Sequence, residues 1–129
     1  MENINITTKP SYEVKLFLGS RYQSCDTSFS ESILEKQIAD FQDSQEEIIP
    51  VRIVRTSFIS GSSYKESGWE VSIINFPPKN KWSKKYKNNM TEYMNSLARH
   101  LCVKLDQKRV TVTSPKTTYI HENLRFVKV

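Results

Sequence analysis

Hydrophobic and polar residues alternate along several short stretches of this chain, with the period of two that is typical of β-strands. In the stretch Tyr12–Leu18, the residues Tyr12, Val14, Leu16 and Leu18 share one side. Three further stretches are rich in β-branched or aromatic residues and complete a set of four predicted strands: Ile48–Ile59, Trp69–Phe76 and Arg109–Thr113. Short terminal strands are predicted at Thr117–Ile120 and Leu124–Val129.

Two other stretches repeat their apolar residues every three or four positions, which predicts amphipathic helices. Ser28 and Glu31 have the S-x-x-E spacing of a capping box, so the first helix is expected to begin there and to end near Asp43. The second helix is expected to begin at Lys79, directly after the strand-ending pair Pro77-Pro78. Its apolar face is formed by Trp82, Tyr86, Met90, Tyr93, Met94, Leu97, Leu101 and Leu105.

The predicted element order is β-α-β-β-α-β with a C-terminal addition. This order indicates an α+β protein with a ferredoxin-like antiparallel sheet, two helices on one face of the sheet, and a C-terminal strand extension. The polar stretch Ser60–Gly68 is expected to be a long, mobile loop between the second and third strands. Residues 1–10 are expected to form a flexible arm, and residues 11–129 a single domain.

The face of the sheet that is turned away from the helices is predicted to carry large apolar residues, among them Phe58, Ile74 and Phe76. These side chains are expected to be at least partly buried. Because extended apolar surface is typical of an interface, we expect a homo-oligomer that covers this face.

The net charge of +5 is unevenly distributed along the chain. From Lys79 to Arg109 there are nine Lys and Arg residues against two acids, whereas Asp26–Glu47 has seven acids and a single lysine. A strongly basic surface favours a charged partner, either a phosphate-bearing ligand or the complementary face of another protein. Two solvated helix faces of opposite sign are the alternative interpretation of the same pattern.

Residues suited to catalysis are few. His100 and His121 occur in no metal-ligand or two-histidine motif, and both are expected to lie on the surface. Cys25 and Cys102 are too few for a disulfide framework and lack metal-ligand spacing. The sequence also contains no phosphate-binding loop and no nucleophile elbow. We therefore expect no catalytic residue, no metal site and no cofactor, which favours a protein that is not an enzyme.

Basic residues interleaved with aromatic ones are the strongest functional signal. Lysines cluster at the start of the second predicted helix, where backbone N–H groups and the helix dipole favour an anion. Arginine suits bidentate contacts with phosphate, and aromatic rings can stack on bases. The candidate ligand-binding residues are Arg21, Tyr22, Arg52, Arg55, Trp82, Lys84, Lys85, Lys108 and Arg109. Trp82 also lies on the apolar face of the helix, so a place in the core is its alternative role.

Three pieces of the sequence resemble a group of small uncharacterised phage and bacterial proteins. They are Gly68-Trp69-Glu70 with Ile73-Ile74-Asn75-Phe76-Pro77, the helix segment Leu97-Ala98, and Gln107-Lys108-Arg109-Val110-Thr111-Val112. The resemblance spans Val51–Pro115 and implies no particular activity. It implies a viral or mobile-element accessory protein of the kind that acts by binding.

The function predicted from the sequence is non-enzymatic binding of a phosphate-bearing ligand, either a nucleotide signal or a nucleic acid, through the basic surface. Two alternatives stay open: a protein–protein inhibitor or assembly subunit that meets an acidic host protein, and a small hydrolase or isomerase that uses His100 or His121. No stretch has the length of a membrane span or the form of a signal peptide. The expected location is therefore the cytoplasm, that of the host if the protein is viral.

Overall fold

The computed structural model describes residues 4, 6, 13–74 and 89–126. The strands in these ranges are β1 (Glu13–Gly19), β2 (Arg52–Ser60), β3 (Tyr64–Ile74), β4 (Arg109–Thr113) and β5 (Thr118–Glu122). The helices are α1 (Glu31–Asp43) and α2 (Met90–Lys104), and a short 3-10 turn follows at Leu124–Phe126. Within the described ranges, no helix has both the length and the apolar character that a membrane crossing requires.

The strands form one antiparallel sheet in the order β2-β3-β1-β4-β5. The predicted α+β class is therefore confirmed. β1 to β4 are arranged as in the split β-α-β-β-α-β motif, with β1 and β3 paired in the centre. β5 is added outside β4, so the sheet is not the simple four-stranded one.

The core lies between the sheet and the two helices. Val14, Leu16 and Leu18 of β1 face the helices, as the alternation predicts, and are buried. Leu16 pairs with Val71 and Leu18 with Trp69, so the register continues the apolar surface onto β3. The helices cover this surface with Leu34, Ile38 and Phe41 of α1 and with Met90, Tyr93, Met94, Leu97, Ala98, Leu101 and Cys102 of α2. Burial of apolar area, at roughly 25 cal/mol per Å², holds both helices on one side of the sheet.

The predicted long loop Ser60–Gly68 is wrong. β2 continues to Ser60 and β3 begins at Tyr64, so the connection consists only of residues 61–63. Gly61 has a φ of 67°, a left-handed conformation that glycine adopts without a steric penalty. The residues from Tyr64 to Gly68 pair in register with β2, and the hydrogen bonds of this ladder keep a polar segment extended.

Helix α1 begins later than the spacing of Ser28 and Glu31 predicts. Ser30 is the N-cap, and its side chain accepts a hydrogen bond from the backbone N–H of Ile33. Ser28 is instead joined to Arg21 by an isolated antiparallel bridge. Phe29 is buried and stacks on Trp69 with ring centroids 5.1 Å apart. The contact of Phe29 with the core therefore places the start of the helix after it.

Helix α2 begins at Met90, and the side chain of Asn89 caps it. The predicted helix start at Lys79, with Trp82 and Tyr86, lies outside the described residues. The remainder of the predicted apolar face is buried: Met90, Tyr93, Met94, Leu97, Leu101 and Leu105. The pattern that predicted an amphipathic helix is therefore confirmed over its described part.

The C-terminal region differs from the prediction. His121, which follows the predicted strand Thr117–Ile120, lies in β5, and Leu124–Phe126, expected in a strand, forms the 3-10 turn. Asn123 holds this region against α2, because its side-chain amide donates to the carbonyl of Cys102 over 3.3 Å.

The side of the sheet opposite the helices, here called the open face, carries mixed side chains. One row across the strands consists of Thr111, Phe17, Glu70 and Val54. Lys15, in the next row, forms a salt bridge with Glu70, in which Nζ lies 2.9 Å from Oε1. Coverage of the open face by a second copy of the chain stays a prediction.

Candidate functional site

Two glycines leave one end of the open face without side chains. Gly19, the last residue of β1, pairs directly with Gly68 of β3. The carboxylate of Glu66 lies over Gly19, because a Cβ on Gly19 would be only 2.2 Å from Glu66 Oε1. Phe58 lies over Gly68 in the same way, with its ring 2.8 Å from the corresponding position. Because the two glycines have no side chains, the carboxylate of Glu66 and the ring of Phe58 pack directly against the backbone there.

Tyr64 sets the orientation of the Glu66 carboxylate. The phenolic O–H of Tyr64 donates to Glu66 Oε2 over 2.6 Å, and the two residues lie on the same face of β3, two positions apart. This hydrogen bond and the negative charge of Glu66 raise the pKa of Tyr64 above its ordinary value. Tyr64 therefore stays protonated at neutral pH. The carboxylate oxygen of Glu66 that Tyr64 does not bind, Oε1, faces Gly19.

A cleft of about 940 Å³ opens beside Glu66. One wall is the loop Arg21–Ser28 that follows β1, here called the cleft loop. The other walls are the start of β3, at Tyr64–Ser67, and the connection between α2 and β4, at Gln107–Arg109. This volume lies within the usual range for small-molecule sites.

Asp106 anchors the cleft loop to the end of α2. Its backbone carbonyl accepts from the N–H of Gln23 over 2.8 Å, and its carboxylate accepts from the N–H of Ser24 over 3.0 Å. Hydrogen bonds from Ser24 lower the pKa of Asp106, and the nearby charge of Arg125 acts in the same direction. Asp106 has a φ of 49°, a left-handed conformation that aspartate tolerates better than most residues.

Gln107 adds a second connection between the cleft loop and the helix end. Its side-chain Nε2 donates to the carbonyl of Arg21 over 2.8 Å and to that of Leu105 over 2.9 Å. The side chain is buried, and it also lines the cleft. The helix end and the cleft loop therefore form one wall.

The cleft carries charges of both signs. Its charged residues are Arg21, Lys65, Lys108 and Arg109 on the positive side and Asp26 and Glu66 on the negative side. Arg21 pairs with Asp26, and Arg109 lies 3.4 Å from Glu122. Because its cations are partly neutralised, the cleft suits a ligand with positive and negative groups better than a polyanion.

The structure brings together four of the nine residues that the sequence singles out for ligand binding. Arg21, Tyr22, Lys108 and Arg109 line the cleft. The other two described candidates lie on β2 and do not line it. Of these, Arg55 lies over the ring of Trp69, with its Cζ atom 5.7 Å from the ring centroid. Arg52 is the register partner of Ser72 in the ladder between β2 and β3. Trp82, Lys84 and Lys85 lie outside the described residues.

Sequence reasoning missed Glu66, Tyr64, Gly19 and Gln107. Glu66 and Tyr64 fall in the segment that was expected to be a loop, where their shared strand face is not apparent. The period-two spacing of Tyr64, Glu66, Gly68 and Glu70 is the signal that could have placed them on one face. Nothing in the sequence indicates that Gly19 pairs with Gly68, because pairing register depends on distant parts of the chain.

The two histidines lie away from the cleft and are not the surface residues that we expected. His100 is half-buried between the helices, with its ring 5.6 Å from that of Phe41. His121 is half-buried against α2, where its Nε2 lies 2.7 Å from Asn95 Oδ1. Neither histidine lines the cleft, so the hydrolase or isomerase that depends on them finds no support in the geometry.

Stability is expected to fall between pH 7 and pH 5.5 because of these two histidines. Burial lowers the pKa of His100, with a further contribution from Lys104, and burial together with the charge of Arg99 lowers the pKa of His121. Below about pH 6.5 the unfolded chain therefore binds more protons at these histidines than the folded protein does, so the free energy of unfolding decreases as the pH falls. Each histidine contributes no more than about 1.4 kcal/mol per pH unit.

Urea denaturation at half-unit pH steps measures this dependence. His100→Gln is expected to reduce the slope of the free energy of unfolding against pH. The reason is that glutamine takes up no proton when the chain unfolds, so His121 alone of the two histidines still contributes. A free energy of unfolding that stays constant from pH 7 to pH 5.5 in the wild type would contradict the prediction.

The structure thus shows a small α+β protein with a cleft that carries charges of both signs. No family model matches the chain, and no curated protein matches it in sequence. Two solved structures share its fold. A phage SAM lyase in the apo state has a TM-score of 0.63 and 16% identity, over 87% of this chain and 89% of that chain. A phage SAM lyase in complex with S-methyl-5'-thioadenosine has a TM-score of 0.62 and 16% identity, over 98% and 100%.

This comparison corrects the function predicted from the sequence. The prediction of a non-enzymatic binding protein is wrong, because the structures that share the fold over most of the chain are those of an enzyme. Both structures belong to a phage protein, in keeping with the resemblance to small phage and bacterial proteins. At 16% identity, the likeness itself establishes the fold.

Proposed function

We propose that this protein is an enzyme that cleaves S-adenosylmethionine and releases S-methyl-5'-thioadenosine. The observation that carries the proposal is the oriented carboxylate of Glu66 in a mixed-charge cleft. The shared fold supports it, since one of the two phage SAM lyase structures contains S-methyl-5'-thioadenosine.

The charges of the cleft complement those of S-adenosylmethionine. This molecule has a positive sulfonium and a positive ammonium group, and it also has a carboxylate and a nucleoside. Glu66 supplies negative charge to the cationic groups, and Arg21 or Arg109 suits the carboxylate because a guanidinium binds carboxylates in a bidentate manner. Tyr22, whose ring lies 5.3 Å from that of Phe29, provides an aromatic surface for the adenine.

The reaction requires little acid–base chemistry. To release S-methyl-5'-thioadenosine, the bond between sulfur and Cγ of the methionine chain breaks, and its electron pair stays on sulfur. The sulfonium becomes a neutral thioether, so the leaving group needs no proton, and no histidine lines the cleft in the described part of the chain. The substrate's own carboxylate forms the new bond to Cγ and closes a five-membered lactone. The main task of the site is therefore to hold the methionine chain of the substrate folded, with its carboxylate close to Cγ.

Incubation of the purified protein with S-adenosylmethionine tests the proposal. Liquid chromatography with mass spectrometry is expected to show loss of substrate and equal amounts of S-methyl-5'-thioadenosine and the lactone. A heat-denatured sample corrects for spontaneous breakdown of the substrate. Substrate consumption no faster than in the denatured sample would overturn the proposed function.

Tyr64→Phe is expected to lower the cleavage rate on the order of tenfold. The change removes the hydrogen bond that orients Glu66. A hydrogen bond to a charged group typically contributes at least the free energy that corresponds to a tenfold change in rate. Steady-state rates of the variant and the wild type measure it. Tyr119→Phe, at a tyrosine of β5 outside the cleft, is the control and should keep the wild-type rate. An unchanged rate in Tyr64→Phe would show that this hydrogen bond is not needed.

A further inference from the structure

The side-chain amide of Gln107 is held in one orientation by both of its N–H groups. Nε2 donates to the carbonyl of Arg21 over 2.8 Å and to the carbonyl of Leu105 over 2.9 Å. An amide NH₂ has two donors, so both are used. The side chain is only 5% exposed, and a flip of the amide would leave both bonds unmade in a buried place.

The remaining atom, Oε1 of Gln107, lies near Gly19, which lines the cleft. It is 3.8 Å from the position that a Cβ on Gly19 would take, and Glu66 Oε1 is 2.2 Å from the same position. Two oxygens from different parts of the chain thus lie within 4 Å of one point above Gly19. Both are acceptors, because the amide has no donor left and the carboxylate has none when ionised.

We propose that Gln107 is a specificity-determining residue that, together with Glu66, binds the ammonium group of the amino-acid part of the ligand. An ammonium has three N–H donors and a positive charge, and it therefore satisfies both acceptors at once. A sulfonium has no N–H group, so the Gln107 oxygen distinguishes between the two cations. The identity of the ligand rests on the proposed function, whereas the arrangement of the two acceptors does not.

The competing explanation is that Gln107 only joins the end of α2 to the cleft loop. Its two hydrogen bonds would then stabilise the wall, and its oxygen would have no ligand. Gln42 provides a matched control, because its Nε2 also donates to a backbone carbonyl, that of Ile49, over 2.7 Å, and it does not line the cleft.

Calorimetric titration with two stable ligands separates these explanations. S-adenosylhomocysteine carries the ammonium group, and S-methyl-5'-thioadenosine lacks the whole amino-acid part. The wild type is expected to bind S-adenosylhomocysteine roughly tenfold to a hundredfold more tightly, the range typical of hydrogen bonds to a charged group. In Gln107→Met this preference is expected to shrink about tenfold, with little change for S-methyl-5'-thioadenosine. Gln42→Met should keep the preference.

A second variant covers the case in which Gln107→Met does not fold. The ammonium of a lysine at this position can donate to both carbonyls, so Gln107→Lys retains the bonds of the wall and offers no acceptor. The preference is expected to disappear in this variant as well.

The inference is overturned if Gln107→Met weakens both ligands equally, if Gln107→Lys keeps the wild-type preference, or if the wild type prefers neither ligand. A wild type that shows the preference but leaves S-adenosylmethionine intact supports the inference and refutes the proposed function. The two failures are therefore distinguishable.

Discussion

Glu66→Gln is expected to lower the rate of S-adenosylmethionine cleavage on the order of a hundredfold to a thousandfold, the usual effect of removing one oriented electrostatic group from an active site. The substitution preserves the shape of the side chain and an oxygen that can accept from Tyr64. It removes the negative charge above Gly19, on which the proposed function relies to bind a cationic substrate.

Glu70→Gln is the matched control for this experiment. Glu70 lies on the same face of β3, and its carboxylate pairs with Lys15 over 2.9 Å, but it does not line the cleft. Loss of this partly exposed ion pair changes stability by about 1 kcal/mol at most, and activity should stay within twofold of the wild type. Equal activity in Glu66→Gln and Glu70→Gln would refute the role of Glu66. Thermal melting of both variants confirms that folded proteins are compared.

The strands and helices of the core were predictable because each has a local pattern. Val14, Leu16 and Leu18 alternate along β1, and the buried positions of α2 recur every three or four residues. Burial on one side of an element leaves this periodic trace in the sequence. The order of the strands followed from the order of the elements, although the sequence did not show that β5 pairs outside β4.

The centre of the site was not predictable because it depends on register. Gly19 and Gly68 are far apart in sequence, and only the pairing of β1 with β3 brings them together. Glu66 lies in a polar segment whose strand conformation is stabilised by the β2 ladder rather than by its own residues. Arg21, Lys108 and Arg109 were identified because charge is visible residue by residue. Asp26 and Glu66 line the same cleft, and their negative charge makes it suit a ligand of mixed charge better than a polyanion. This proximity becomes apparent only in three dimensions.

Gly19→Ala is expected to lower activity about a hundredfold without lowering stability. A Cβ on Gly19 would lie 2.2 Å from Glu66 Oε1, the far end of a flexible side chain, so the carboxylate moves aside and the backbone does not. Displacement of a positioning group by about 1 Å can reduce a rate by about two orders of magnitude. Stability should be unchanged or higher by roughly 0.4–1 kcal/mol, because alanine restricts the unfolded chain.

Gly68→Ala, in contrast, is expected to lower the stability of the protein. A Cβ there would lie 2.4 Å from the backbone carbonyl of Leu18 and 2.8 Å from the ring of Phe58, neither of which can move freely in the sheet. Overpacking of this kind costs about 1–3 kcal/mol. Thermal melting and cleavage rates of both variants decide the matter. If Gly19→Ala keeps full activity, the position of Glu66 over Gly19 is not what the cleavage requires. If Gly19→Ala instead melts far below the wild type, the glycine serves the sheet and not the carboxylate.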